Sequence, residues 1–206
     1  MLALADPHEK PWKTPDVHFR LTRPEPEALR PLVVGGAFDE LSYELVGLSK
    51  LAEAPSGFRM DRRTCELGRG DEVFDKAVQA LREWQVHRGS GIVVLADDEP
   101  RTDLVVAMSA PLPVGFIDLA CRVVDTVDQQ DQFGFTYGTL SAHPEEGEES
   151  FTITRGADFS ITFDILAVSR PRMWAARFCP PVARKLQHRA TGKYLAAMQS
   201  AVNAAA

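Results

Sequence analysis

Cysteine is scarce in this chain: three among 206 residues. Cys65, Cys121 and Cys179 are too few and too scattered for a disulfide framework or a zinc knuckle, and a reducing, cytoplasmic location is expected. Long apolar runs are missing too. None reaches the roughly 18 residues of a spanning helix, so no membrane insertion is expected. The opening MLALADPHEKPWKTP has no basic start followed by an apolar stretch long enough for a signal peptide. With three prolines and no period, residues 1–15 read as a mobile lead-in. Basic residues are outnumbered, 23 Lys and Arg against 29 Asp and Glu, for a net charge of -6. Phosphate backbones demand clustered Lys and Arg, so no nucleic-acid partner is expected. The one basic run, Arg184, Lys185, His188 and Arg189, falls at helical spacing and reads as a solvated helix face.

Motifs for the commoner chemistries are absent as well. GRGD at residues 68–71 lacks the GK[ST] ending of a phosphate loop and the strand–loop–helix setting of a dinucleotide fingerprint, so it reads as a helix start. There is no G-x-S-x-G elbow and no cysteine with an evident base. His143 with Glu145, Glu146, Glu148 and Glu149 matches no metal spacing. Pro144 and Gly147 mark a turn there, a single His offers one nitrogen ligand, and the segment reads as a solvated acidic hairpin loop. Neither a metal nor a cofactor is expected.

What is present is an ordinary globular composition, 45% hydrophobic and 25% charged, enough to bury a core as one domain over residues 16–206. Residues 16–57 read as an N-terminal extension of strand, helix and strand: Val17 to Arg23, a Pro-marked helix at PEPEALRPLV, and LSYELVGLS. Residues 58–203 read as the body. It opens with the strand FRMDRRTCELG. A helix capped by Asp71 follows, carries Phe74, Val78, Leu81 and Trp84 on one face, and ends near Gly89. Six strands come next: GIVVLAD, TDLVVAMSA, GFIDLACRVVDTV, QFGFTYGTL, EESFTITR and DFSITFDILAVS. The last helix opens after SRPRMW, is interrupted or restarted at Pro180 and Pro181, and places Leu186, Ala190, Tyr194, Met198 and Val202 on one stripe.

Strand, helix, six antiparallel strands and a long C-terminal helix have few compact solutions. The expected fold class is α+β, a curved antiparallel sheet gripping the last helix, as in the helix-grip plan. The segments LGRGDEVFDKAVQALREWQVHRGSG, FIDLACRVVD, FGFTYGTLSAHPEEGEESF and AVSRPRMWAARFCPPVARKLQHRATGKYLAAM resemble the family known as domain of unknown function nineteen-ninety, over about Leu21 to Met198. That resemblance implies no assigned activity. The element order is similar to the START and Bet v 1-like superfamily of ligand-cavity proteins. The added N-terminal part is expected to cover or extend the cavity.

Parity sharpens the site, because side chains alternate between the faces of a strand. In FGFTYGTL the odd positions, Phe133, Phe135, Tyr137 and Thr139, form the apolar face. In EESFTITR the odd positions are Glu149, Phe151 and Ile153, and in FSITFDILA they are Phe159, Ile161, Phe163, Ile165 and Ala167. If the two strands of the HPEEG hairpin pair, Tyr137 and Glu149 stand nearly opposite on the concave side. A carboxylate near a hairpin end is more commonly solvated. The sharper alternative makes Tyr137 and Glu149 the polar anchors of a cavity walled by Trp84, Phe135, Phe151 and Phe163, and desolvation there raises the carboxyl pKa. Trp84 and Trp174 read first as core residues. Arg122 has the opposite parity to Leu119, Cys121 and Val123, pointing away from the cavity into a structural salt bridge. Three functions fit this reading. One is binding of a small lipophilic or aromatic molecule. Another is a cofactor-independent isomerase, cyclase or hydratase using Tyr137 and Glu149. The third is a structural or interaction protein whose concave side is a filled core.

Overall fold

The computed structural model describes residues 17–172 and 180–204, and of residues 180–191 it describes the helical backbone alone. The 1–15 lead-in, Trp174 and Cys179 lie outside the described residues, as do the side chains of Leu186, Ala190 and the basic run. The elements are β1 (Phe19–Arg20), α1 (Arg30–Gly36), β2 (Arg59–Arg69), α2 (Asp71–Arg82), α3 (Gln85–Gly89), β3 (Val93–Leu95), β4 (Val105–Pro111), β5 (Phe116–Gln129), β6 (Gln132–Thr139), β7 (Glu145–Arg155), β8 (Ser160–Pro171) and α4 (Pro180–Asn203). The six expected strands after the helix are all present, and the last helix, described from Pro180, follows them.

The sheet is antiparallel in the order β2-β8-β7-β6-β5-β4-β3. β1 pairs with β5 at Ile117 and Phe116, beyond the point where β6 has left it at Cys121. Register shifts between Glu66 and Gly68 and between Val123 and Asp125 put an extra residue into β2 and β5. Such bulges bend and coil a strand, which suits a sheet that curves around a helix. On the concave face Phe74, Leu81, Trp84 and Val86 from α2, α3 and their junction join Phe133, Phe135, Phe151, Phe163 and Ile165 from the strands in one core. Tyr194, Met198 and Val202 of α4 complete it, with Met198 fully buried. Gly89 lets α3 and α4 touch, since a Cβ there would stand 2.9 Å from the Cβ of Ala197.

Two expectations about the first helix are corrected. Gly70, at φ 94°, occupies the cap position, and Asp71 is the first helical residue, where its charge favours the helix dipole. The helix also does not run unbroken to Gly89. Trp84 adopts the left-handed conformation, φ 58°, between α2 and α3, and its indole N–H donates to the Asp98 carbonyl at 3.0 Å.

The N-terminal extension covers the convex face of the sheet and leaves the concave side to α2, α3 and α4. Leu29 and Leu32 pack with Leu95, Val105, Ala120 and Leu140, while Tyr43 and Leu48 pack with Leu166 and Val168. The strand expected at LSYELVGLS is absent. Leu41 makes a single bridge to Leu140, Gly47 turns the chain at φ 96°, and Leu48–Lys50 forms a 3-10 turn. Main-chain N–H groups must be satisfied somewhere. Those of Gly47 and Ser49 find the Glu148 carboxylate, at 2.7 and 2.9 Å, in place of a ladder. Arg122 does point to the convex side, but its partners are the carbonyls of Gly36 and Asp39, both at 2.7 Å, so it clamps the end of α1 in place of the expected salt bridge. The Asp39 carboxylate in turn accepts from the Ser141 N–H at 2.9 Å. Asp118, buried, accepts from Arg20 Nε and Ser109 Oγ, both at 2.6 Å, and fastens β1.

Candidate functional site

The concave wall is built in rows that run across adjacent strands. Tyr137, Glu149, Ala167 and Asp61 form one row, Phe135, Phe151, Ile165 and Arg63 the next, and Phe133, Ile153, Phe163 and Cys65 the third. Side-chain alternation along β6, β7 and β8 dictates this, so the parity argument holds for Tyr137 opposite Glu149. Four of the expected wall residues form a continuous ring system. Phe135 stacks on Phe151 at 5.3 Å, Trp84 lies 5.1 Å from Phe135, and Phe163 is 6.4 Å from Phe151. Tyr194 of α4, expected only as part of the helix's apolar stripe, closes edge-on over Phe151 at 5.5 Å.

In the midst of these rings the Tyr137 hydroxyl donates to Glu149 Oε2 at 2.6 Å. Burial pushes the Glu149 carboxyl up to about 7, and the Glu145 and Asp61 carboxylates act in the same direction, while the hydrogen bond from Tyr137 opposes them. The Tyr137 phenol is held well above its ordinary range by burial first and by the Glu149 charge second. Tyr194 and Cys121 rise for the same two leading causes, which places both within the field of Glu149. The carboxyl is therefore the proton-exchanging member of the group near neutral pH, and the phenol keeps its proton.

The acidic hairpin is not a solvated loop. β7 begins at Glu145, and pairing with β8 draws the glutamates into the sheet. Glu145 accepts from Ser169 Oγ at 2.8 Å, Glu146 pairs with Arg170, and Glu148 is 2% exposed. The His143 ring accepts the Glu145 N–H at Nδ1, 3.0 Å, and burial lowers its pKa to about 4. Among the described residues, no group of three or more His, Cys, Asp or Glu side chains converges to hold a metal ion.

One polar residue of the concave core carries no signal in the sequence. His87 of α3 is fully buried, and neither ring nitrogen has a hydrogen-bond partner among the described residues. Its ring lies 4.8 Å from Phe151, 5.2 Å from Tyr194, 5.4 Å from Trp84 and 5.9 Å from Tyr137. Burial holds it neutral, with a pKa lowered to about 3. No sequence signal announces it, because neither Gly nor Pro stands where the helix breaks.

The model of the family described as "Domain of unknown function (DUF1990)" matches residues 42–197. A UPF0548 protein of Deinococcus radiodurans is 29% identical over 187 residues, 85% of this chain and 94% of the relative. Among solved structures, hypothetical protein jhp0584 from Helicobacter pylori matches with TM-score 0.53 at 8% identity, covering 79% of this chain and 96% of that one. The di-domain ARO/CYC BexL from the BE-7585A biosynthetic pathway matches with TM-score 0.52 at 11% identity, over 74% of this chain and 52% of BexL. At these identities the likeness is one of fold: a curved antiparallel sheet closed over a C-terminal helix, the helix-grip arrangement. No helix among the described residues is long and apolar enough to cross a membrane.

Proposed function

We propose that this chain, which belongs to the DUF1990 family, binds a small lipophilic or aromatic molecule between the concave face of the sheet and α4. Trp84, Phe135, Phe151 and Phe163 are its walls, and Tyr137 and Glu149 its polar anchors. The observation that carries this reading is the Tyr137–Glu149 hydrogen bond, 2.6 Å long, set among stacked rings. Glu149 is half-buried beside these rings, and a carboxyl drawn partly out of water costs free energy unless something compensates it. A group retained at that cost is explained by what it holds. The protein acts on this reading as a single unit over residues 16–206, in the cytoplasm, where the free thiols Cys65 and Cys121 persist. Native mass spectrometry of protein purified from its own host tests it: a co-purifying apolar or aromatic molecule is expected. Empty protein that also fails to enhance N-phenyl-1-naphthylamine fluorescence would leave a filled core and a function at the surface.

A second reading, cofactor-independent acid–base catalysis on the same molecule, is favoured by one feature. With its pKa near 7, Glu149 can take and return a proton at neutral pH, as an isomerase, cyclase or hydratase requires. Glu149→Gln separates the two readings. For an enzyme it keeps the ligand and loses turnover by roughly 100- to 10,000-fold. For a binding protein it changes affinity alone.

A further inference from the structure

His87 is the buried polar group that the Tyr137–Glu149 pair leaves unexplained. A neutral imidazole carries one N–H donor and one bare nitrogen acceptor, and here both are enclosed by rings, with no partner among the described residues. Leaving such groups unsatisfied costs roughly 1–3 kcal/mol each. The backbone is strained to put the ring there. Carried on unbroken, α2 would bring Arg88 to the centre of the stripe formed by Ala77, Leu81 and Trp84, with His87 at its margin. The left-handed turn at Trp84, a conformation costing on the order of 1 kcal/mol or more outside glycine, instead exposes Arg88 and buries Val86 and His87. Arg88 then donates to the Glu83 carbonyl at 2.7 Å, closing the end of α2.

Resting on the binding reading above, we infer that His87 is a further ligand-binding residue of the concave site. It receives a hydroxyl carried by the aromatic or lipophilic molecule at the end seated against α3. The ligand class is thereby narrowed to phenols and other hydroxylated ring compounds. The rings of Phe151, Tyr194 and Trp84 around His87 supply stacking and edge contacts for the ring, and the imidazole supplies the acceptor that a plain hydrocarbon would leave empty. A site built to hydrogen-bond a hydroxyl discriminates against the analogue that lacks it, because the unpaired group is then buried. Glu149 and Tyr137, one row away from Phe135 and Phe151 in the sheet register, remain free to meet a second polar group on the same molecule.

The test uses two probes of similar size, 2-naphthol and 2-methylnaphthalene, with the full chain. In the unsubstituted protein, nitrogen-15 NMR of the His87 ring is followed as each is added. The expected result is a shift of one ring nitrogen with 2-naphthol and none with 2-methylnaphthalene. In parallel, the ratio of the two dissociation constants is measured in the wild type and in His87→Leu. The preference for 2-naphthol, roughly 5- to 10-fold for one neutral hydrogen bond, should vanish in the variant while 2-methylnaphthalene binding is kept. If both probes bind and the His87 signals stay unmoved, a trapped water satisfies the ring and this inference is overturned, with the binding reading intact. If neither probe binds and N-phenyl-1-naphthylamine is refused as well, the binding reading falls and takes this inference with it. The NMR arm needs no variant, so a poorly folded His87→Leu does not blunt it.

Discussion

Glu148 and Glu149, adjacent in the chain, face opposite sides of β7 and hold different partners. On the convex side Glu148 accepts from Tyr43 Oη at 3.0 Å and from the main-chain N–H groups of Gly47 and Ser49. On the concave side Glu149 accepts from Tyr137 at 2.6 Å. One carboxylate fastens the N-terminal segment to the sheet, and the other is set into the face that α4 covers. Two substitutions one residue apart should therefore give unrelated phenotypes.

Glu148→Ala is expected to destabilise the protein by roughly 2–4 kcal/mol, because two half-buried N–H groups and a buried phenol lose their acceptor together. Chemical denaturation reads the loss. Hydrogen exchange should show faster exchange at Gly47 and Ser49 while the β7–β8 ladder stays protected. A loss of less than about 0.5 kcal/mol would contradict the fastening role.

Glu149→Gln is expected to remove a pH dependence. The folded-state pKa lies above the unfolded one, so the native state holds the proton longer, and stability is lost as pH rises from 4.5 through about 7. At ~1.36 kcal/mol per pH unit the loss is at most about 3 kcal/mol. Thermal melts at pH 5 and pH 8 should show the wild type losing stability relative to the variant as pH rises, because the opposite contribution of buried His87 and His143 is the same in both proteins. In the Gln variant that part of the difference disappears.

Tyr137→Phe removes the hydrogen bond that, among the described residues, favours ionised Glu149 against its burial. The carboxyl should then titrate above 7. Carbon-13 NMR of the Glu149 side chain checks the direction, and a downward move would contradict the geometry.

Gly138 lies beneath Tyr43, and a Cβ there would collide with the Tyr43 hydroxyl. Gly138→Ala should push that ring off the sheet at a cost of roughly 1–3 kcal/mol, with faster exchange at Gly47 and Ser49 as its signature. The concave rows should keep their NMR shifts, because they lie on the other face.

A chain ending at Pro180 loses Tyr194, Met198 and Val202, each buried in the concave core. At roughly 1.5–3 kcal/mol for each large side chain, the deficit rivals the 5–15 kcal/mol that holds a typical domain together. The truncated chain should not fold cooperatively, and a monomeric, sharply melting product would refute the role given to α4.

By itself the sequence determined the features that repeat along a strand or helix. The alternation of Phe133, Phe135 and Tyr137 against Phe151 and Ile153 defined one apolar face, and pairing through a short hairpin keeps odd positions facing odd ones, which left Tyr137 and Glu149 nearly opposite; the strand register then sets them directly across from each other. The stripe of Tyr194, Met198 and Val202 was legible for the same reason: period is a local property, and burial follows it. Tertiary structure decided what depends on partners distant in the chain. LSYELVGLS has a strand's composition, yet its N–H groups meet the carboxylate of Glu148, 101 residues from Gly47, and it packs as an irregular cover on the convex face. The glutamates after Pro144 look like a solvated loop until β8 pairs with them. His87 is the extreme case, since the turn at Trp84 is favoured only once its indole reaches Asp98 and its ring meets Phe135. No propensity encodes that turn, and it puts an imidazole with no hydrogen-bond partner among the described residues at the centre of the aromatic face.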